Sequence, residues 1–113
     1  MKAHHKLKVW ERAIDYVTEI YKLTEKFPKE EIYGLTSQMR RAAVSIPSNI
    51  AEGAARGSKG EFRKFLAIAQ GSISELETQL IISSKLGFCS AIEGLVSELD
   101  EISRMIVGLR KKL

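Results

Sequence analysis

Two histidines, His4 and His5, a single cysteine, Cys89, and a scatter of serines are the side chains that could carry covalent or metal chemistry. Neighbouring residues of a helix point about 100° apart, so His4 and His5 make a poor metal pair. One cysteine supplies no cluster. Glu75 and Glu77 fall on different faces, and the chain has no Glu-x-x-His pair of the kind that builds a di-metal site inside a bundle. Both histidines lie far along the chain from Ser45, Ser48 and Ser72, leaving those hydroxyls without a base to activate them. The run GAARGS at 53–58 lacks the lysine and the spacing of a phosphate-cradling loop. These residues predict no catalytic group, no metal, no cofactor and no enzyme.

What remains is charge. Eighteen Lys and Arg against fourteen Asp and Glu give a net charge of +4. Counted over successive quarters of the chain, the excess is spread out and forms no basic tail. Arg40, Arg41, Arg56, Lys59, Arg63 and Lys64 crowd one hairpin, and two readings compete for them. In the first they pair internally, Arg41 with Glu75, and Glu52 with Arg63 and Lys64. In the second, the glycine turn between Arg56 and Lys59 offers backbone N–H groups and cations together to a phosphate. The second reading makes all six candidate nucleic-acid contacts.

Four helices must position these residues. Trp10, Ala13, Ile14, Val17, Ile20, Tyr21, Thr24 and Phe27 recur at steps of three and four up to Pro28. A second stripe runs Leu35, Met39, Ala42, Ala43, Ile46, Ile50. The third, Phe62, Phe65, Leu66, Ala69, Ile73, Leu76, Leu80, opens on the capping box Ser58 to Glu61 and closes at Gly87. The fourth, Ile92, Leu95, Val96, Leu99, Ile102, Ile106, Leu109, opens on a second box, Ser90 to Glu93. No stretch alternates with period two. Short connections make sequential helices antiparallel neighbours, which predicts an all-α, up-down-up-down four-helix bundle filling one domain, residues 1–113, with residues 1–7 mobile.

Pro47 lies inside the second stripe, where it lacks an N–H and crowds the preceding turn, so the second helix is expected to kink there. Facing positions of the hairpin place Gly71 opposite Ser45, which predicts a close approach at that glycine. Ser45, Ser48 and Asn49 around the bend could alternatively form a ligand notch. On the third helix, Ile68, Ile82 and Leu86 fall outside the apolar stripe, in a column interrupted by Glu75. A lone bundle would expose them, which predicts an oligomer interface. With no apolar leader, no membrane-length stretch and one cysteine, the expected setting is the cytoplasm, with no membrane partner.

The run YGLTSQMRRAAVSIPSNIAEG from Tyr33 to Gly53, followed by Glu61-Phe62 and by GSISELETQL from Gly71 to Leu80, resembles the four-helix-bundle proteins encoded in 23S rRNA intervening sequences. The resemblance extends from about Leu7 to Gly87, and more distantly to the accessory variability protein of diversity-generating retroelements. It implies a homopentamer of antiparallel bundles arranged as a barrel with a basic surface or channel, nucleic-acid binding in the retroelement branch, and no catalysis; structured RNA is the nucleic acid favoured as partner. Arg40, Arg41, Arg56 and Ser58 match family-like positions; Lys59, Arg63 and Lys64 are added on charge alone. The competing class is a scaffold for a protein partner, in which the arginines are structural.

Overall fold

The computed structural model describes residues 2–113, apart from the Lys6 side chain. Four helices, α1 (Lys8–Thr24), α2 (Leu35–Ala55), α3 (Lys59–Lys85) and α4 (Glu93–Lys111), carry the fold, with 3-10 turns at Ala3–Lys6 and Lys29–Glu31 and no strand among the described residues. Contacts between helices run in opposite directions along each pair. Arg40 meets Thr24, Ser45 meets Ser72, Arg110 meets Gln70, and Arg12 and Tyr16 meet Glu98 and Leu95. Each helix is therefore antiparallel to its two neighbours, and α4 closes back on α1. The start of α1, the α2–α3 turn and the end of α4 share one end of a body 43 Å long.

Local signals explain most boundaries. The Ser58 hydroxyl accepts the Glu61 N–H at 3.1 Å and opens α3. At its other end Gly87, with φ of 82°, makes a double bond pattern: its N–H reaches Ser84 O and the Phe88 N–H reaches Ser83 O. Phe88 then packs on Phe27, ring centres 5.7 Å apart. The second capping box does not form. Ala91 takes a left-handed φ of 53°, and α4 begins only at Glu93, with no side chain capping it. At the start of α2, Glu31 Oε1 accepts the Leu35 N–H at 3.1 Å.

The core holds Met39, Ile46 and Ile50 of α2, Leu66, Leu76 and Leu80 of α3, and Leu99, Ile102 and Ile106 of α4. On α1 the buried line is Val9, Ala13, Tyr16 and Ile20, displaced from the expected stripe. Tyr16 reaches the core because its hydroxyl donates to Leu95 O at 2.8 Å, while Ile14 and Tyr21 are exposed. Pro47 is buried, and α2 continues through it as one helix. The expected close approach at Gly71 is absent: that glycine is exposed, and a Cβ there would touch nothing within 4 Å. Gly53 is the tight position, where a Cβ would come within 2.8 Å of Phe65 Cβ and 3.0 Å of Phe62 Cδ1. Ser45 faces Ser72 instead, their hydroxyls 2.8 Å apart.

Candidate nucleic-acid interface

The structure divides the six candidate cations. Arg40 is tied to α1: Nε donates to Thr24 Oγ1 at 2.9 Å, and the guanidinium lies 4.5 Å from the centre of the Tyr21 ring. Arg56 is held at the α2–α3 turn by Glu52 at 2.7 Å, by Glu61 at 3.7 Å and by the Phe65 ring at 4.9 Å. Its hydrogen bond to Glu52 raises its pKa, outweighing slight desolvation. Arg63 donates to the Leu113 carbonyl. Arg41, Lys59 and Lys64 are exposed and, among the described residues, make no ion pair.

The expected pair between Arg41 and Glu75 is therefore not made within the chain. Glu75 instead accepts from Gln79, one turn on, at 3.2 Å. Nor does Glu52 reach Arg63 or Lys64, because Arg56 stands four residues away on its own helix, the nearer neighbour.

Topology adds cations that a count along the chain does not bring together. The stretches 7–12, 50–66 and 105–113 meet at one end of the bundle and carry nine basic residues against three acidic ones. The stretches 13–49 and 67–104, which make up the rest of the body, carry seven basic residues against eleven acidic ones. Two of the three acids at the basic end, Glu52 and Glu61, are turned to Arg56. Lys8, Lys59, Lys64, Lys111 and Lys112 are exposed there without an ion-pair partner among the described residues. Lys8, Lys111 and Lys112 were not candidates from sequence; counting charge by height in the antiparallel bundle would have found them.

The remaining sequence candidates fall as follows. Asn49 Nδ2 donates to Ser45 O at 2.7 Å and to Ser45 Oγ at 2.8 Å, so these two side chains satisfy one another, while Ser48 is exposed beside Pro47. His4 meets Trp10 edge-on and His5 meets it at a tilt, at 4.9 and 5.2 Å between ring centres. Burial raises the Cys89 thiol pKa. No group of three His, Cys, Asp or Glu converges on a metal position among the described residues, and no helix is long and apolar enough to cross a membrane. Ile68, Ile82 and Leu86 are exposed at 44%, 43% and 57%.

A search of curated proteins finds no match. The family model described as 23S rRNA-intervening sequence protein matches residues 5–108, nearly the whole chain and all but the last turn of α4. A helical bundle built on these helices, with that match running through all four, belongs to the 23S rRNA-intervening sequence protein family.

Proposed function

We propose that the protein is a non-enzymatic homo-oligomer that binds nucleic acid through the basic end of its bundle. The observation that carries this reading is the sorting of charge: nine cations against three acids at one end, seven against eleven over the rest. Lys59 and Lys64, with Lys8, Lys111 and Lys112 beside them, contact phosphates. Arg63 supports them, and Arg56 shapes the turn. Arg40 braces α1 against α2. Ile68, Ile82 and Leu86 carry self-association, because such a column is covered at least cost by another copy of the chain. Among the described residues there is no strand, and so no sheet of aromatic side chains for stacking bases, which favours recognition of shape and backbone. The family's description ties it to 23S rRNA intervening sequences, which makes structured RNA the first ligand to test.

Fluorescence anisotropy of a labelled RNA hairpin and a DNA duplex, titrated with the protein over a range of salt, tests the reading. The expected result is tight binding at low salt that weakens steeply as salt rises and differs little between unrelated sequences. No binding to either ligand at low salt would overturn it in favour of a protein-interaction scaffold. The internal anchoring of Arg40 and Arg56 is what that second reading expects.

A further inference from the structure

Away from the basic end the body carries more acid than base, yet Arg40 and Arg41 stand together on α2 beside a crevice of about 450 Å³ with no acidic side chain in its lining among the described residues. Thr36 and Ser37 line it one turn earlier on α2, and Ile32 and Val44 form its apolar walls. The spacing of four residues sets Thr36 beside Arg40 and Ser37 beside Arg41 on the helix surface.

The first N–H groups of a helix have no partner within it. At the start of α2, Gly34 has no side chain to cap them, and the first turn holds no acid. The Leu35 N–H goes to Glu31 Oε1 and the Gln38 N–H to Gly34 O, but those of Thr36 and Ser37 find no partner among the described residues. The Thr36 side chain adds a second, separate signal. Thr18, Thr24 and Thr78 each donate their hydroxyl to a carbonyl one turn back. Thr36 is only 5% exposed, and its hydroxyl makes no such bond among the described residues, although it borders the crevice. Arg40 commits Nε and Nη2 to Thr24 and Tyr21, which leaves Nη1 without a protein acceptor, and Arg41 is exposed and unpaired among the described residues.

We propose that this crevice binds a phosphomonoester. Three terminal oxygens and a double charge match two free backbone N–H groups, a buried hydroxyl and the fork of Arg41, with Ile32 and Val44 against the apolar body that carries the phosphate. A carboxylate, with two oxygens and one charge, leaves part of that set unmet. Glu31 is the competing anion: its carboxylate caps the Leu35 N–H and weakens the site without lining the crevice. None of these residues belongs to the basic end, so the site stands apart from the polyanion surface and does not depend on it.

Calorimetry at constant ionic strength, with inorganic phosphate and phenyl phosphate as probes, tests the site. Phosphate should bind with a dissociation constant of about 1 mM or tighter. Phenyl phosphate should bind more tightly, because its ring meets Ile32 and Val44, and acetate should bind more weakly than either. Arg41→Ala, at an exposed position, and Thr36→Val, which keeps the side chain's shape, should each weaken phosphate binding about tenfold, with circular dichroism confirming an intact bundle. Glu31→Gln keeps an oxygen for the Leu35 N–H while removing the charge, and should tighten binding severalfold, a gain that a damaged fold does not produce. An RNA hairpin ending in a phosphate, compared with the same hairpin ending in a hydroxyl, separates the sources of the group. Preference for the phosphate end, lost in Arg41→Ala, puts a strand terminus in the crevice; equal binding leaves a small free phosphomonoester as its ligand. No heat and no change in the phosphorus NMR signal of either probe overturns the proposal, as does acetate binding as tightly as phosphate. Wild-type phosphate affinity in both Arg41→Ala and Thr36→Val overturns it as well.

Discussion

The two ends of the bundle differ in construction, charge and closure: one gathers the start of α1, the α2–α3 turn and the end of α4, the other the α1–α2 and α3–α4 connections. At the basic end, Gly53 lets α2 press against Phe62 and Phe65, and exposed lysines surround the turn. At the other end, Tyr16 bonds Leu95 O, Phe27 packs on Phe88, and the sequence there holds Glu25, Glu30, Glu31 and Glu93 alongside Lys26, Lys29 and Lys85. Every quarter of the sequence is close to balanced, so the polarity arises only when antiparallel alternation stacks alternate stretches together. Some of the cations also sit against the preference of their own helix. Lys8 and Lys59 occupy the first positions of α1 and α3, where the helix dipole favours acids.

The strongest way to break the basic end is to fill its tight contact. Gly53→Leu should overpack against Phe65 and destabilise the fold by about 1 to 3 kcal/mol, lowering the melting temperature by about 4 °C for each kcal/mol. Gly71→Ala, at the open glycine, should instead raise stability by up to about 1 kcal/mol through helix propensity. At the opposite end, Tyr16→Phe leaves Leu95 O without its donor and should cost about 1 kcal/mol at neutral pH. Burial, foremost, raises the Tyr16 pKa above its usual 10.0. The folded protein therefore keeps a proton that the unfolded chain loses, and wild-type stability should fall as pH rises above about 10. Urea unfolding across that range should show a shallower alkaline decline for Tyr16→Phe.

Smaller effects separate anchored cations from available ones. Arg40→Ala should cost about 1 kcal/mol by removing its bond to Thr24 and its packing on Tyr21, whereas Arg41→Ala should change monomer stability by less than about 0.5 kcal/mol. Lys59→Glu should stabilise the bundle by about 0.3 to 1 kcal/mol while weakening RNA binding, two opposite readouts from one residue.

Much of this architecture was legible in the sequence. Four stripes with period 3.6, Pro28, the Ser58 cap and Gly87 place the helices, because each is a local signal that the packing also satisfies. The misplaced details depend on partners far along the chain. Tyr16 is core because Leu95 O receives its hydroxyl, and the wheel of α1 alone cannot supply that carbonyl. The tight glycine is Gly53 and not Gly71, since which one meets bulk depends on the faces that α2 and α3 turn to each other. The candidate site was half legible: Lys59 and Lys64 stood out by proximity, while Lys8, Lys111 and Lys112 join them only through topology. Arg40 and Arg56 look like ligands in sequence because Thr24, Tyr21 and Phe65 are invisible as their partners.

The most direct test of the basic end compares two matched triple variants by the salt dependence of RNA binding. One, Lys59→Gln with Lys64→Gln and Lys111→Gln, removes three charges from the basic end; the other, Lys26→Gln with Lys29→Gln and Lys85→Gln, removes three from the opposite end. The first should flatten the slope of log K against log salt by about 0.9 for each duplex phosphate that is no longer neutralised, and weaken binding to unrelated sequences alike. The second should leave slope and affinity near wild type. Equal weakening by the two variants, or unchanged binding in the first, would contradict the assignment of nucleic-acid binding to the basic end.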